Sequence, residues 1–393
     1  MICIWDKKTP QDKLENKSLC GERILRPTSA YVIEELNGNY SYELTLPILP
    51  DDDTWKFIKP YNIIKSSQGQ LFPIYKIEYD WSGSYPVVKA WARHIWYYFA
   101  DKLVFDCRID MFSCYWAIEE VMKHIDYGRG DGLVDYTFDY SWGSDIDDVK
   151  FLEFNEVTAA NAFLGNAESI VNKYKGQLHR DNFRFSIKKF KENARENAFN
   201  LFHNYNCTGI KHTIDYSNTM TEMYVSDNCG HEMKSSFVPE TGDFPHQVTY
   251  SKKLSYDKER KKNEEVTFNE FYYDAEDLFF QFASPDSTYE VNFVDMKHTT
   301  KYEGWGELQY MVVGSTGYIT DAVETSKQHI IYTKYNDITG RMENIKLGSF
   351  KPSDLHRTRW DKMLSGDTAA YRRLDLIESR VIGSDSIKVE LIN

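Results

Sequence analysis

Hydrophobic and polar positions alternate with period two through much of the first hundred residues, the pattern of half-buried strands. Tyr31-Val32-Ile33 is a short β-branched run, and Asn37-Gly38-Asn39 is a turn signal. Tyr40, Tyr42, Leu44 and Leu46 then alternate with polar residues until Pro47, Pro50 and Asp51-Asp52-Asp53 end the strand. Asn62-Ile63-Ile64-Lys65 predicts another short strand. Gln68-Gly69 turns into Leu71 to Ile77, and Ser82-Gly83-Ser84 turns into Val87 to Ala92. Short strands at this spacing predict a small barrel or sandwich.

The period changes near residue 107. Asp110 is a good helix N-cap, with Phe112, Trp116, Val121 and Ile125 following at helical spacing, and Gly128-Arg129-Gly130-Asp131-Gly132 closes that helix. A second helix is expected from Thr158 to Tyr174. Its apolar face is Ala160, Phe163, Leu164, Ala167, Ile170, Val171 and Tyr174, its water face is Asn161, Glu168, Asn172 and Lys173, and Gly176 caps it. A hairpin follows, Gln177 to Arg180, a turn at Asp181-Asn182, then Phe183, Phe185 and Ile187. Residues 107–204 thus read as a small α/β insertion that buries its own core and packs as a peripheral lobe.

From 205 to 250 the pattern is irregular strand and loop, and Lys252 to Glu265 is a charged stretch that reads as a solvated face. Alternation returns at Tyr289, Val291 and Phe293. Met311 to Gly314 with Gly317 to Thr320 reads as a hairpin, and His329 to Thr333 with Met342 to Gly348 completes a second strand-rich region. No tandem repeat of fixed period is evident.

Composition sharpens this picture. Aromatic residues make up 15% of the 393-residue chain, with 28 Tyr, 23 Phe and 9 Trp, which favours β-structure. The length suits two to four domains. No apolar run approaches the roughly 18 residues of a membrane-spanning helix, and Met1 to Asp6 carries no secretory signature. The net charge of −13 is a poor match for tight binding to a nucleic-acid backbone; it does not exclude a channel through which DNA slides, and solubility is its ordinary role. The six cysteines (Cys3, Cys20, Cys107, Cys114, Cys207, Cys229) form no C-x-x-C pair and read as reduced, mostly buried thiols.

The chain contains no phosphate-binding loop, no dinucleotide fingerprint and no nucleophile elbow. His231-Glu232 lacks the second histidine of a zinc peptidase. Asp51-Asp52-Asp53 and Asp145-Ile146-Asp147-Asp148 lack the spacing of a calcium loop, and Arg129-Gly130-Asp131 is explained by a tight turn. His94, in the aromatic segment Trp91 to Trp96, reads as a packed, hydrogen-bonded histidine rather than a general base. No catalytic, cofactor-binding or metal-binding residue is assigned.

Several segments together resemble the tail-associated hub proteins of bacteriophages of Gram-positive hosts, the prophage endopeptidase tail or phage minor structural protein family. They are Glu35 to Tyr40 with Tyr42-Glu43-Leu44, Gln70 to Lys76, and Val88 to Tyr97. Asn161 to Leu164, Ile170 to Tyr174, Gly176-Gln177-Leu178 and Asp181-Asn182-Phe183 follow, then Pro285 with Tyr289-Glu290-Val291, and Tyr335-Asn336-Asp337 with Met342 and Ile345 to Gly348. The resemblance implies a mainly β, α+β chain with two β-barrel-like domains. The first would comprise 1–106 with 205–250, the α/β insertion 107–204, and an outer β-rich segment plus the second barrel 251–393.

It further implies a structural baseplate or tail-tip hub of the virion, made in the host cytoplasm. This homotrimer would join the tail tube to the host-contacting tip and leave a passage for double-stranded DNA during ejection. Implied partners are a distal tail protein or tube ring, the tape measure protein, and a tip spike or fibre. The family's hydrolase activity usually sits in a further C-terminal domain, for which no room is expected before Asn393, so the chain is expected not to be an enzyme. The alternatives are a tail-associated cell-wall or peptide hydrolase, or a receptor- or carbohydrate-binding module.

Overall fold

Alternation in the first hundred residues becomes a set of antiparallel strands: β1 (Cys3–Trp5), β2 (Arg23–Ile24), β3 (Ser29–Glu35), β4 (Tyr40–Pro47), β5 (Ile63–Lys65), β6 (Leu71–Asp80) and β7 (Val87–Arg93). The computed structural model describes residues 1–16, 20–83, 85–126, 138–165, 169–189, 200–203, 207–216, 220–236, 249–254, 271–272, 275, 286–293, 313–321 and 325–348. In β4 the predicted positions Tyr40, Tyr42, Leu44 and Leu46 are all buried. Asp52, from the acidic run, caps a 3₁₀ turn (Asp53–Phe57) by accepting the Thr54 N–H at 2.9 Å. The short helix α1 (Gln11–Glu15) buries Leu14.

Within the insertion lie β8 (Leu103–Val104), β9 (Cys107–Ser113), the helix α2 (Cys114–Lys123), β10 (Ile125–Asp126), β11 (Ser141–Ser144), β12 (Val149–Phe154) and β13 (Val157–Thr158). Then come the short helix α3 (Ile170–Lys173), β14 (Gly176–Asp181) and β15 (Arg184–Lys189). The helix expected from Asp110 starts later, with Ser113 at its N-cap. Cys107 and Ile109 are buried and their neighbours exposed, so this stretch has period two and pairs with β12. The long helix expected over 158–174 is instead a π-helical turn (Asn161–Gly165) and α3. Gly165 packs so tightly on the Asn161 side chain that an added Cβ would overlap it, and Ser169 sits in extended backbone before α3. Asn161, Asn172 and Lys173, expected to face water, are half-buried. Gly128 to Gly132 and Glu168 lie outside the described residues.

The remaining strands are β16 (Asn200–Phe202), β17 (Cys207–Asp215), β18 (Glu222–Ser226), β19 (Glu232–Ser236), β20 (Thr249–Lys253), β21 (Asp286–Phe293), β22 (Thr316–Thr320), β23 (Thr325–Asn336) and β24 (Arg341–Gly348). The largest sheet runs β2-β1-β5-β6-β7-β4-β3-β23-β24-β21-β17, with β22 beside β23 and β16 beside β22. The segment 205–250 was expected to return to the first β-region. There β17 pairs with β21 at the end of the largest sheet, and β18, β19 and β20 form a separate sheet. Irregular patterning there carried no register information. The hairpin expected between 311–314 and 317–320 also differs. Val313-Gly314 is a turn, and β22 pairs with the first half of β23. Pro285, Met311, Val312 and residues 255–265 of the charged stretch lie outside the described residues; Met342 lies within β24.

The hydrophobic core is continuous between the first β-region and the insertion. Trp96 and Phe99, on a 3₁₀ turn (Ile95–Asp101), meet Phe163 and Phe185 of the insertion, with ring centroids 5.3 to 6.3 Å apart. The insertion therefore shares its core with the first β-region and is not a lobe with a core of its own. Phe183, expected to cover the same helix, packs instead with Trp5, Leu14, Ile63, Leu71 and Ile95.

Candidate functional site

Three parts of the chain meet around one polar seam. On the first side, the Asn37-Gly38 turn between β3 and β4 presents its side chain to the edge of β14. Asn37 Nδ2 donates to Gly176 O at 2.9 Å, and Leu178 N–H donates to Asn37 Oδ1 at 2.7 Å. The side chain thus stands in for a neighbouring strand, which requires the left-handed backbone Asn37 adopts, φ 47°. On the other side, the β14–β15 turn reaches back. Leu71 N–H donates to Asn182 Oδ1 at 2.8 Å, and Asn182 Nδ2 donates to Gly69 O at 3.0 Å.

His94 and Arg180 fill the space between these turns. Trp96 N–H donates to His94 Nδ1 at 3.3 Å, while Nε2 lies 3.0 Å from Gln70 Oε1 and 3.3 Å from the Asn182 N–H. Burial, then the Arg180 charge, holds His94 well below the usual histidine range. The ring stacks on Tyr40 at 4.5 Å. His94 is thus the packed, hydrogen-bonded residue its aromatic surroundings suggest.

Arg180 occupies an inward position of β14 and is buried. Its Nη1 donates to Gly38 O at 2.8 Å and to Tyr97 Oη at 2.6 Å, and its carbon lies 5.1 Å from the Tyr40 ring centre. Glu34 is 3.9 Å away, too far for a direct hydrogen bond, and burial raises its carboxyl above the usual range despite the guanidinium. Arg180 is committed to carbonyls and rings of its own chain, which is the wiring of a structural clamp.

A second buried carboxylate joins the second β-region to the first. Asp337, just past β23, accepts from Tyr42 Oη at 2.6 Å, from Ser67 N at 3.0 Å and from Ser67 Oγ. The strand that carries it pairs with β3 from Tyr332 opposite Glu35 to Asn336 opposite Tyr31. Sequence reading found Asn37 and Asp181-Asn182 as turns and missed Arg180, Gln70, Ser67 and Asp337 as ties. A charge at an inward strand position, as at Arg180, was the available signal.

Beside the seam lies an open cleft of about 910 Å³, lined among others by Gln70, Trp142, His179, Arg184, Ser186 and Lys188. Burial first, then Lys188 and Arg180, brings His179 down to about 4. Elsewhere, His231 Nδ1 lies 2.6 Å from Asp227 Oδ2. Asp227 also accepts the N–H groups of Cys229 and His231 at 2.8 Å, so it organises the β18–β19 turn. Burial pushes the Asp227 carboxyl up, but these hydrogen bonds outweigh it and hold the group below the usual range. Asp145, from the other acidic run, accepts the Lys189 N–H at 2.7 Å. Among the described residues, no group of three or more His, Cys, Asp or Glu side chains is placed to hold a metal ion, and no helix is long and apolar enough to cross a membrane.

The exposed apolar side chains are concentrated. The β6–β7 hairpin carries Tyr75, Tyr79, Trp81 and Tyr85, with Trp81 68% exposed. Around β9 and the start of α2, Met111, Phe112, Tyr115, Trp116 and Val149 are exposed as well.

Residues 8–94 match the family described as prophage endopeptidase tail N-terminal domain. That stretch contains β2 to β7 and the Asn37-Gly38 turn on the seam's first side. Most of the chain shares the fold of solved tail proteins. It is similar to prophage tail protein gp18 from Listeria monocytogenes EGD-e at 15% identity, covering 89% of this chain and 94% of that one, with a TM-score of 0.55. It is also similar to the 43 kDa tail protein of prophage MuSo2 from Shewanella oneidensis at 12% identity, covering 84% and 95%, with a TM-score of 0.56. The tail protein from Neisseria meningitidis MC58 matches at 8% identity, covering 88% and 96%, with a TM-score of 0.55. A search of curated proteins by sequence finds no match. At these identities the likeness is one of fold.

Proposed function

We propose that this chain is a non-enzymatic structural protein of a phage tail, located in the virion as a trimeric baseplate or tail-tip hub. It joins the tail tube to the host-contacting tip and leaves a passage for double-stranded DNA. The observation that carries the reading is the fold shared with tail proteins over nearly the whole chain, combined with the prophage tail domain at 8–94. Its partners are a distal tail protein or tube ring, the tape measure protein, and a tip spike or fibre. The net charge of −13 suits a conduit that must not retain DNA. The exposed aromatic hairpin tip and the patch around Trp116 supply apolar surface of the kind subunit interfaces bury. The seam of Asn37, His94, Arg180, Asn182 and Asp337 fixes the relative positions of the three regions, which a ring subunit requires. Light scattering and electron microscopy of the purified chain test this, with a trimeric ring expected and a persistent monomer counting against it.

A second reading, a cell-wall or peptide hydrolase, draws on the word endopeptidase in the matched family's description and on the oriented His231–Asp227 pair. Peptidoglycan zymography separates the two. Clearing that is lost in His231→Ala supports the hydrolase, and absence of clearing supports the structural protein.

A further inference from the structure

Of the six cysteines, Cys107, Cys114 and Cys207 are buried and Cys229 is half-buried. Cys3 and Cys20 differ from these in being neighbours. Cys3 opens β1 and is only 3% exposed, while Cys20 is exposed to solvent. The chain leaving Cys20 runs alongside β1. Glu22 N–H donates to Ile4 O at 2.9 Å, and Cys3 stands opposite Ile24 in the β1–β2 pairing. Gly21 is held at φ 72° so close to β1 that an added Cβ would lie 3.1 Å from Cys3 Cβ. Cys3 Sγ itself donates to Met1 O at 3.9 Å, and Cys20 lies near enough to bear on the Cys3 thiol.

We propose that Cys3 and Cys20 are a disulfide-forming pair, with Cys20 the exposed entry thiol and Cys3 the buried resolving thiol, closed by a small-molecule disulfide such as oxidised glutathione. The Cys20 thiolate attacks one sulfur of glutathione disulfide, forming a mixed disulfide and releasing one glutathione thiolate. The Cys3 thiolate then attacks Cys20 Sγ, forming the protein disulfide and releasing the second glutathione. Two protein thiols lose their protons and two electrons, and one glutathione disulfide is reduced to two thiols.

The surroundings set the rate of the second step. Burial first, then the neighbouring Cys20, pushes the Cys3 thiol up to about 11, with the N-terminal ammonium and Lys65 pulling the other way. Ring closure is therefore slow at neutral pH and quickens as the medium becomes alkaline. The bond would close a loop of about 17 residues around α1, and loops of that order restrict the unfolded chain appreciably. The loop matters to the rest of the molecule. Leu14 of α1 plugs the cluster containing Trp5 and Phe183, and Gln11 exchanges hydrogen bonds with the Asp139 backbone at 2.9 and 2.8 Å. Closing it fixes the N-terminal segment against both the first sheet and the insertion. This inference rests on the geometry of the two thiols and is independent of the tail reading.

The test is incubation of the full chain with oxidised glutathione, followed by alkylation and peptide mapping. The expected result is a peptide cross-linked through Cys3 and Cys20, a fall in titratable thiols from six to four, and faster closure at pH 9 than at pH 7. Oxidation should also raise the Tm by several degrees, reversibly on reduction. Because Cys20 is exposed, Cys20→Ser should fold normally and show neither the cross-link nor the Tm shift, while Cys229→Ser should behave as the parent. Full alkylation of both Cys3 and Cys20 after oxidation would overturn the proposal. So would a terminal glutathione adduct on Cys20, or cross-linking of Cys20 between two chains.

Discussion

Replacing Asn37 by alanine removes both hydrogen bonds through which the first β-region substitutes for a strand beside β14. The side chain is buried and its two partners, Gly176 O and Leu178 N–H, lose their connection to it. Each neutral hydrogen bond contributes about 1 kcal/mol net, and a buried group left unmatched adds about 1–3 kcal/mol. Holding alanine at the positive φ of this site costs a further 1 kcal/mol or so. The sum is about 4–6 kcal/mol against the closed seam. Because several core regions are involved, a single unfolding midpoint is a poor readout, and amide exchange at Leu178 is the direct one. A loss of about 4 kcal/mol corresponds to roughly 1,000-fold faster exchange there. Asn37→Gly keeps the backbone unstrained and should recover about 1 kcal/mol of the loss. If Leu178 exchange in Asn37→Ala stays within threefold of the parent, the side chain does not hold the two regions together and the reasoning fails.

Other outcomes follow from the same contacts. Asp337→Ala strands Tyr42 Oη and the Ser67 N–H without their carboxylate and should cost about 2–5 kcal/mol locally, read as faster amide exchange at Ser67; unchanged exchange there would show that the β-regions are joined by strand pairing alone. Phe163→Ala, at a fully buried side chain touching Phe99 and Phe185, should cost about 3–5 kcal/mol. Its exchange signature should spread into β4 and β7, because the core is shared; protection lost only within 107–189 would contradict that. His179 takes up its proton far more readily when unfolded, near the usual 6.5, than in the folded state at about 4. Stability should therefore be full above about pH 6.5 and fall by up to roughly 1.4 kcal/mol per pH unit as pH drops toward 4. His94 and His329 act in the same direction, so the check is the loss of part of this slope in His179→Gln.

Much of the architecture was legible where period and turn chemistry agreed. Tyr40 to Leu46, Gln177 to Ile187 and Met342 to Gly348 each combine clean alternation with a neighbouring Asn, Asp or Gly turn, and each is a strand or hairpin as read. The helix read over 158–174 failed because apolar residues spaced three and four apart also fit two short turns. In the first of these turns Gly165 packs tightly on the Asn161 side chain. The start of α2 was misplaced because Cys107 to Ser113 satisfies period two as well as a cap rule. The partners of β17 and β22 were invisible because strand pairing across many residues depends on register, which weak alternation does not encode. The polar ties were legible only in part. Turn-forming asparagines announce themselves, whereas Arg180 and Asp337 become informative only when burial places a charge among rings and hydroxyls.

The central claim is that this chain assembles as a threefold hub. Light scattering coupled to size exclusion, with electron microscopy of the same fraction, tests it most directly. The expected result is a mass about three times the 46.1 kDa of one chain and a ring with a central opening wide enough for duplex DNA. A mass of 46.1 kDa across the accessible concentration range, unchanged by addition of a distal tail protein, would contradict it.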